Sequence, residues 1–389
     1  MRAEPYKLLI AILTLGVFGI LNTEMGVIGI LPLIADHFHV SISSAGLIVS
    51  LFALAVAISG PTMPLLFSGV NRKTTMVLVL GIFILGNMIS TVTSNFTVLL
   101  IARVVPALFH PVYVSLAFTV AASYVGKEEA PKAVSKIFVG VSAGMVLGVP
   151  VTSLIASATS LSMAMLFFAV VNAVVFMATI LFVPSMPVTE KLSFATQVSI
   201  LKKSVTWISI VAVIFMNGAV FGVYSYLAEY LETITMMSWN TISFLLFIYG
   251  AANIIGNILA GKLLTQNAFK SVATFPFALG GVYVILFFVG HLGIPMLFII
   301  ILWGIVAGVG ANINQYWITS AAPEAPELAN GLFLTSANLG TTIGATVCGL
   351  FISGFGIQYV VFGGFLFMIM SIVAIFLRNP ANKTANQFS

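Results

Sequence analysis

The sequence predicts an all-α integral membrane protein with twelve transmembrane helices, and three observations support this prediction. Only 6% of the 389 residues are charged and 60% are hydrophobic, against roughly 25% and 45–50% in soluble domains. Apolar runs of 20 or more residues recur along the chain, and each can cross about 30 Å of hydrocarbon as a helix. The basic residues are scattered in ones to threes, which indicates membrane topology and not a nucleic-acid surface.

Charged residues, prolines and glycine-rich stretches divide the chain into its apolar segments. The polar stretch 185–204 separates six segments from six, so we expect two pseudo-symmetric six-helix bundles, 1–184 and 205–389, joined by a cytoplasmic linker. The twelve predicted helices lie at about 7–31, 44–68, 74–93, 96–125, 131–157, 161–184, 205–230, 239–264, 269–290, 295–321, 327–353 and 357–378.

The distribution of lysine and arginine predicts the orientation of the spans, because cytoplasmic loops carry the excess of basic residues. With the N-terminus inside, the outward loops hold no basic residue, and Arg103 alone lies within a span. Both termini are therefore expected in the cytoplasm. The cytoplasmic segments then hold fourteen of the 15 basic residues: Arg2, Lys7, Arg72, Lys73, Lys127, Lys132, Lys136, Lys191, Lys202, Lys203, Lys262, Lys270, Arg378 and Lys383.

Several kinds of chemistry lack the residues they need. Cys348 is the single cysteine, and no His/Cys cluster has the spacing of a metal site, so we expect neither a metal nor a cofactor. Gly256–Lys262 resembles a phosphate loop, but Leu263 replaces the required Ser or Thr. Gly140–Gly144 fits the serine-hydrolase pattern but lies inside an apolar helix. We therefore expect no enzyme.

Three ionisable residues lie within apolar spans: Glu24, Arg103 and His110. A charge at a helix centre costs about 2.5–3.5 kcal/mol even on the lowest insertion scales. Glu24 lies seven residues before Leu31, and Arg103 lies seven residues after Phe96, so both are predicted at equal depth, where they can form an ion pair. His110 is predicted about 10 Å deeper than Arg103. Proton coupling and a purely structural clamp are both open interpretations.

Glycines at intervals of four indicate helices that approach closely, because packing has to replace the hydrophobic effect between spans. Gly140, Gly144 and Gly148 lie in the fifth span and are followed by Pro150, and Gly340 and Gly344 repeat the pattern in the eleventh. This repetition favours duplicated bundles and transport by alternating access. A fixed packing seam is the alternative role for these glycines.

Uncharged polar and aromatic residues within the spans are candidates for a substrate site. A few such groups orient a ligand in a mostly apolar pocket, although they also hydrogen-bond neighbouring helices. Because the spans contain so few charges, we expect a neutral or weakly charged substrate. The candidates are Asn22, Thr23, Tyr113, Ser115, Asn217, Tyr224, Tyr226, Tyr249, Asn253, Asn312, Gln315 and Asn338.

Short segments in the first, fourth and fifth spans resemble motifs of the major facilitator superfamily. Within this superfamily, they resemble the twelve-span drug:proton antiporters of the bacterial sugar, purine and drug efflux branch. The first-span motif is similar to Asn22-Thr23-Glu24 with Gly29-Ile30-Leu31-Pro32, and the fourth-span motif to Ile101-Ala102-Arg103 with Phe109-His110-Pro111. The resemblance covers the whole chain and implies that the arginine takes part in proton coupling. The fifth-span glycines resemble a motif associated with antiporters.

Further motifs in the second half resemble the same branch, while the loop motif differs. Tyr224-Ser225-Tyr226, Trp303-Gly304 and Asn338-Leu339-Gly340 are similar to its signatures. The acidic position of the superfamily's inner-loop motif is occupied by Ser68 in the first copy and by Thr265 in the second.

The expected function is therefore secondary active transport in a bacterial inner (plasma) membrane. Proton-coupled efflux of a drug, sugar or nucleobase-like molecule is preferred, with Glu24, Arg103 and His110 in coupling. Proton symport and facilitative import are alternatives within the class, and a channel, a receptor or a membrane enzyme are distant ones. One chain supplies both bundles, so a monomer suffices.

Overall fold

A computed structural model describes residues 3–188 and 194–385. Arg2 and Lys191, two of the predicted cytoplasmic residues, lie outside this range. The chain forms two compact units, Met1–Ser193 and Phe194–Ser389, here called unit 1 and unit 2. The boundary between them falls within the stretch 185–204.

Unit 1 consists of helices, as expected for apolar segments that must satisfy their backbone groups internally. The path of the first span continues beyond the predicted end, through a 3-10 turn at Val27–Ile30 into a second short helix. The α-helices are α1 (Ala3–Gly26), α2 (Leu31–Phe38), α3 (Ile42–Ser59), α4 (Met63–Phe67), α5 (Arg72–Val92), α6 (Phe96–Ser123), α7 (Ala130–Ala158) and α8 (Leu161–Phe182).

Unit 2 is helical as well. Its α-helices are α9 (Phe194–Val198), α10 (Ser204–Tyr224), α11 (Leu227–Thr233), α12 (Trp239–Val289), α13 (Gly293–Thr319), α14 (Pro326–Phe355) and α15 (Val360–Ala385). The 51-residue helix α12 contains two predicted spans, because Asn267 has non-helical backbone angles at their junction.

The prediction of an all-helical membrane protein is confirmed. Among the described residues, ten helices are long and apolar enough to cross a membrane. One of them is α12, which holds two spans, and α3 adds a shorter apolar helix at Ser44–Ser59.

Polar side chains at the residue before the helix fix the start of several helices. Ser41, Asn71 and Ser160 accept hydrogen bonds from backbone N–H groups of the first turn of α3, α5 and α8.

The two units repeat one packing arrangement between their first and fifth long helices. A β-carbon built at Gly144 would lie 3.0 Å from the carbonyl oxygen of Phe18, and one built at Gly340 would lie 2.5 Å from that of Ile214. Both members of the second pair lie 196 residues after those of the first. The helix-capping serines before α3 and α12 lie 197 residues apart. A shift of 196 or 197 residues therefore relates equivalent positions of the two units.

Candidate functional site

A carboxylate and an imidazole meet inside unit 1. Glu24 on α1 and His110 on α6 lie with Oε2 and Nε2 3.2 Å apart, and their side chains are 13% and 5% exposed. His110 also contacts the ring of Phe52 edge-to-face, with centroids 6.2 Å apart. Neither Nδ1 nor Nε2 of His110 makes a hydrogen bond among the described residues, so Glu24 and His110 lie within ion-pair distance without a formed hydrogen bond. The pair can hold one proton between an acid and a base.

The sequence predicted that Glu24 and Arg103 lie at equal depth and can pair, whereas the ion pair that the structure gives for the Glu24 carboxylate joins it to His110. The helical path continues through α2 to Phe38, so Glu24 lies 14 residues before its end, just as His110 lies 14 residues after the start of α6 at Phe96. The rings of Phe38 and Phe96 contact each other at 5.9 Å, which places both starting points at the same end of unit 1. Equal rise along two helices then brings Glu24 beside His110.

Arg103 is nearly inaccessible, at 1% exposure, and hydrogen-bonds to the backbone of α1. One guanidinium nitrogen donates to the carbonyl oxygen of Thr23, and the guanidinium carbon lies 5.5 Å from the ring centroid of Phe168. Nε and the second terminal nitrogen have no hydrogen-bond partner among the described residues. The carbonyl that the guanidinium contacts belongs to Thr23, the residue next to Glu24, so the guanidinium lies close to Glu24 along α1. We call Glu24, His110 and Arg103 the charged cluster.

Thr23 connects the charged cluster to two further helices. Its hydroxyl donates to the carbonyl oxygen of Gly19 at 2.9 Å and accepts from Asn172 at 2.9 Å and from Asn87 at 3.4 Å. Asn172 also donates to the carbonyl oxygen of Phe168 at 2.8 Å. Sequence reasoning missed Asn87 and Asn172, although an asparagine at the centre of an apolar segment was a visible signal.

The four substrate candidates of unit 1 are buried, with Thr23 and Ser115 at 2% and 1% exposure. Asn22 is 0% exposed, and neither polar atom of its side chain has a hydrogen-bond partner among the described residues. Tyr113 is also 0% exposed and packs against Gly16, where a β-carbon would overlap its hydroxyl. Ligand access to both positions therefore requires that neighbouring helices move.

The predicted glycines lie where α7 crosses α1. A β-carbon at Gly140 would overlap the carbonyl oxygen of Thr14, and one at Gly148 would lie 3.2 Å from the backbone nitrogen of Gly26. Helix α7 continues through Pro150, which is exposed. The glycines thus permit backbone contact between the two helices, in agreement with their spacing.

Aromatic side chains form a cluster in unit 2. The rings of Tyr224 and Tyr249 stack at 4.4 Å with an interplanar angle of 25°. Trp303 on α13 contacts Tyr224, Tyr249 and Tyr283 edge-to-face, at 6.3, 5.7 and 5.4 Å. Trp303 is fully buried, Tyr249 is 5% exposed, and Tyr224 is half-buried. The hydroxyl of Tyr249 has no hydrogen-bond partner among the described residues.

A row of amides continues from this cluster along the pair α12 and α13. Asn257 donates to Asn253 at 3.3 Å, and Asn312 donates to Asn257 at 2.8 Å. Asn253 is half-buried. Since Asn253 and Asn257 follow Tyr249 at intervals of four, all three lie on one face of α12.

The other candidates of unit 2 make contacts between or within helices. Asn217 donates to the carbonyl oxygen of Ala337 at 2.6 Å, and the Tyr226 hydroxyl to that of Ala345 at 3.0 Å. Gln315 donates to Asn330 at 2.7 Å. Asn338 donates within its own helix. The twelve candidates therefore do not form one site within either unit.

The repeat shift shows that the two units carry different chemistry at equivalent positions. Glu24, Arg103 and His110 of unit 1 correspond to Val220, Ile300 and Ala307 of unit 2. Conversely, Tyr249, Trp303 and Asn253 correspond to Phe52, Pro106 and Val56. The buried acid-base pair belongs to unit 1, and the aromatic and amide groups belong to unit 2.

Among the described residues, no group of three or more His, Cys, Asp or Glu side chains is arranged to hold a metal ion.

Comparison with known proteins agrees with this architecture. The chain is 26% identical to the inner membrane transport protein YdhP of Escherichia coli (strain K12) over 94% of each chain. It is also 26% identical to a "Probable sugar efflux transporter" of Helicobacter acinonychis (strain Sheeba), over 97% of this chain and 96% of the relative. The crystal structure of the E. coli fucose:proton symporter FucP shares the fold, with a TM-score of 0.77 and 16% identity over 97% and 99% of the two chains.

A family model identifies the chain. The model described as Major Facilitator Superfamily matches residues 13–327. The apolar helices of both units, the bacterial relatives and this match agree with one another. The chain therefore belongs to the Major Facilitator Superfamily and is a multi-pass membrane transporter of small molecules, not an enzyme.

Proposed function

We propose that the protein exports a small neutral or weakly charged organic molecule in exchange for protons, and that Glu24 and His110 share the transported proton. The 3.2 Å contact between these two buried side chains carries the proposal. An acid and a base at this distance provide a proton site among apolar helices, where an unpaired charge is costly.

The charge balance of the cluster supplies the coupling. With Glu24 ionised and His110 neutral, the carboxylate offsets the buried guanidinium of Arg103, and the cluster is neutral overall. Addition of one proton leaves a net charge of +1 on a cluster whose side chains are at most 13% exposed. Because buried uncompensated charge is strongly unfavourable, the protonated and deprotonated clusters favour different arrangements of the helices around them. A proton then changes the conformational equilibrium, as antiport requires.

The packing of α1 against α7 supports movement close to the cluster. Gly140, Gly144 and Gly148 contribute no side chain of α7 to this contact, so a shift along it meets only the side chains of α1. Thr23, on the same helix as Glu24, accepts the hydrogen bond from Arg103. A displacement of α1 would therefore change the surroundings of both charges together.

The direction and the substrate are inferred from relatives and composition. The similarity to a protein named as a sugar efflux transporter favours export, with a sugar as the first substrate to test and drugs or nucleobase-like molecules next. The bacterial relatives and the YdhP name support an inner-membrane location. The basic residues favour cytoplasmic termini and linker, with bundles 1–184 and 205–389 in one monomer.

Transport in proteoliposomes under an imposed pH difference tests the mechanism. The purified protein is reconstituted, and uptake of radiolabelled glucose, arabinose and lactose is measured with an acidic or an alkaline lumen. An antiporter accumulates external sugar when the lumen is acidic, because outward proton flow drives sugar inward. Accumulation only with an acidic exterior would instead establish proton symport, and equilibration of the sugar without accumulation under either pH difference would establish facilitative transport.

A Glu24→Gln variant identifies the proton site in the same assay. It should lose gradient-driven accumulation and keep downhill counterflow of the same sugar. A variant that still accumulates sugar against its gradient would place coupling elsewhere. Flux without saturation or counterflow in the native protein would indicate a channel.

A further inference from the structure

We propose that Asn71 and Lys73 are positioning residues for transport, because they fasten the start of the predicted linker to unit 1. We call the contact of residues 71–73 with residues 180–186 the linker clasp. The proposal requires only that the two units change conformation during transport, as alternating access implies. It does not depend on proton exchange by the charged cluster.

The side-chain amide of Asn71 bonds in two directions. Its Oδ1 accepts hydrogen bonds from the backbone N–H groups of Lys73 at 3.0 Å and Thr74 at 3.4 Å, which caps α5. Its Nδ2 donates to Oγ of Ser185 at 2.8 Å. Because an asparagine amide carries both an acceptor and donors, one side chain joins the start of α5 to the start of the linker.

Lys73 satisfies a carbonyl at the end of α8. The Ile180 carbonyl would bond the N–H four positions later, but that residue is Pro184, which has none. The Lys73 ammonium donates to the Ile180 oxygen instead, at 2.7 Å. A cation is also favourable at the C-terminal end of a helix. Lys73 therefore ties the end of α8 to the start of α5.

The backbone and two apolar side chains extend this contact. The Arg72 backbone N–H donates to the carbonyl oxygen of Met186 at 3.1 Å. Val183 and Met186 are 2% and 8% exposed, although both follow the last residue of α8. One exposed hydrogen bond is weak, but these contacts together make the chain up to Met186 a part of unit 1.

Comparison of the two units separates helix capping from the linker contact. Asn267 is equivalent to Asn71 by a shift of 196 residues, and it accepts from the Lys270 backbone N–H at 2.9 Å. The position equivalent to Lys73 is Phe269, whose side chain has no donor. Capping is therefore common to both units, whereas the bond from Lys73 is particular to the unit that leads into the linker.

The other end of the linker is fastened to unit 2. Ile200 is completely buried, and the Trp207 indole donates to the Leu201 carbonyl oxygen at 2.7 Å. Lys203 pairs with Glu324. Loss of the clasp would lengthen the free connection between the two anchored ends. Because coupling through a tether weakens as the tether lengthens, we expect slower turnover without the clasp.

Cysteine labelling tests the clasp without a substrate. In a Cys348→Ser background, Met186→Cys should react slowly with a maleimide, because this position is buried. Addition of Ser185→Ala and Lys73→Met should accelerate the reaction at least tenfold. Ser185 is changed instead of Asn71, since substitution of Asn71 would also remove the cap of α5.

Two controls separate opening of the clasp from general unfolding. Ser94→Ala with Lys127→Met, at two exposed positions, should leave labelling of Met186→Cys slow. Ala195→Cys, at another exposed position, should react equally fast with and without the clasp substitutions.

Counterflow in proteoliposomes tests the role in transport, with glucose, arabinose and lactose as probes. Ser185→Ala with Lys73→Met should lower the maximal rate at least threefold and leave the half-saturating sugar concentration unchanged, because the clasp contacts no substrate. Ser185→Thr, which keeps the hydroxyl, should transport like the native protein. Cross-linking of Asn71→Cys to Ser185→Cys by a bifunctional methanethiosulfonate reagent should not stop counterflow, because the clasp stays closed throughout the cycle.

Several results would overturn the proposal. Fast labelling of Met186→Cys alone, or slow labelling after both clasp substitutions, would show that these groups do not hold the linker. An unchanged maximal rate would exclude a role in transport. Counterflow that dithiothreitol restores in the cross-linked variant would show that the clasp opens in each cycle. Labelling needs no sugar, so a failure of the proposed sugar transport is distinguished from a failure of the clasp.

Discussion

Glu24 Oε2 and His110 Nε2 lie 3.2 Å apart in the interior of unit 1, at equal helical distances from the contacting rings of Phe38 and Phe96. Their proximity follows from the extension of the first span through α2. His110 is 5% exposed and Glu24 13% exposed, so few other groups compete for a proton held between them, and Arg103 carries a fixed charge on the same side of the bundle.

Loss of the imidazole should uncouple transport without unfolding the protein. In His110→Gln, gradient-driven sugar accumulation in proteoliposomes should fall at least tenfold, because Glu24 loses its partner, while the melting temperature changes little. Glu129→Gln is the matched control, since Glu129 is exposed and pairs with Lys132 on the surface. Native accumulation in His110→Gln would assign the histidine a structural role only.

Removal of the guanidinium should affect both stability and coupling. Arg103→Leu removes the charge-assisted hydrogen bond to the Thr23 carbonyl, and a hydrogen bond to a charged group contributes about 1.5–3 kcal/mol. We expect a clear fall in melting temperature together with loss of accumulation. Lys132→Ala, at an exposed ion pair, should leave both unchanged. If Arg103→Leu melts like the native protein, Arg103 does not stabilise the cluster.

The amide of Asn172 should stabilise unit 1. Asn172→Leu removes its hydrogen bonds to Thr23 and to the Phe168 carbonyl, and a lost buried hydrogen bond of this kind costs about 1–3 kcal/mol. Thermal unfolding in detergent measures the change. Asn338→Leu serves as the comparison, because the Asn338 side chain donates to Leu334 of its own helix. Equal stability of the two variants would contradict the role given to Asn172.

The contact between α1 and α7 should not tolerate a methyl group. In Gly140→Ala the new β-carbon would overlap the Thr14 carbonyl oxygen, part of a backbone that cannot turn aside, and overpacking costs about 1–3 kcal/mol. In Gly46→Ala the β-carbon meets nothing within 4 Å, and Ala is the better helix former by about 0.8–1.0 kcal/mol. Melting temperatures should therefore move in opposite directions. A stable Gly140→Ala would show that the two helices separate easily.

The basic residues predict which loops face the cytoplasm, and cysteine labelling can check the prediction. In a Cys348→Ser background, cysteines at His39 and His291 should react with a membrane-impermeant maleimide applied to intact cells. A cysteine at Ala195 should react only after the membrane is opened. All three positions are exposed, so lack of reaction reports topology and not burial. Labelling of position 195 from outside would refute the twelve-span topology.

The sequence by itself determined the class of protein and the positions of its helices. A membrane helix satisfies its backbone hydrogen bonds within one segment. The length of the apolar segments and the charged residues, prolines and glycines between them were therefore sufficient to find α6, α7 and their equivalents in unit 2. Glycines at intervals of four identified the helices that touch, because close approach depends on side-chain size alone. Glu24, Arg103 and His110 were recognised because ionisable groups are costly in lipid.

Tertiary structure decided which of these residues meet. Sequence spacing measures distance along a helix, but contact between two helices depends on where each one ends, how it is rotated and what crosses it. The path of the first span continues to Phe38, which moves Glu24 level with His110, and the rotation of α1 presents the Thr23 carbonyl to Arg103. Asn172 joins the cluster through a third helix. These contacts depend on packing between segments distant in the chain, which local patterns in the sequence do not specify.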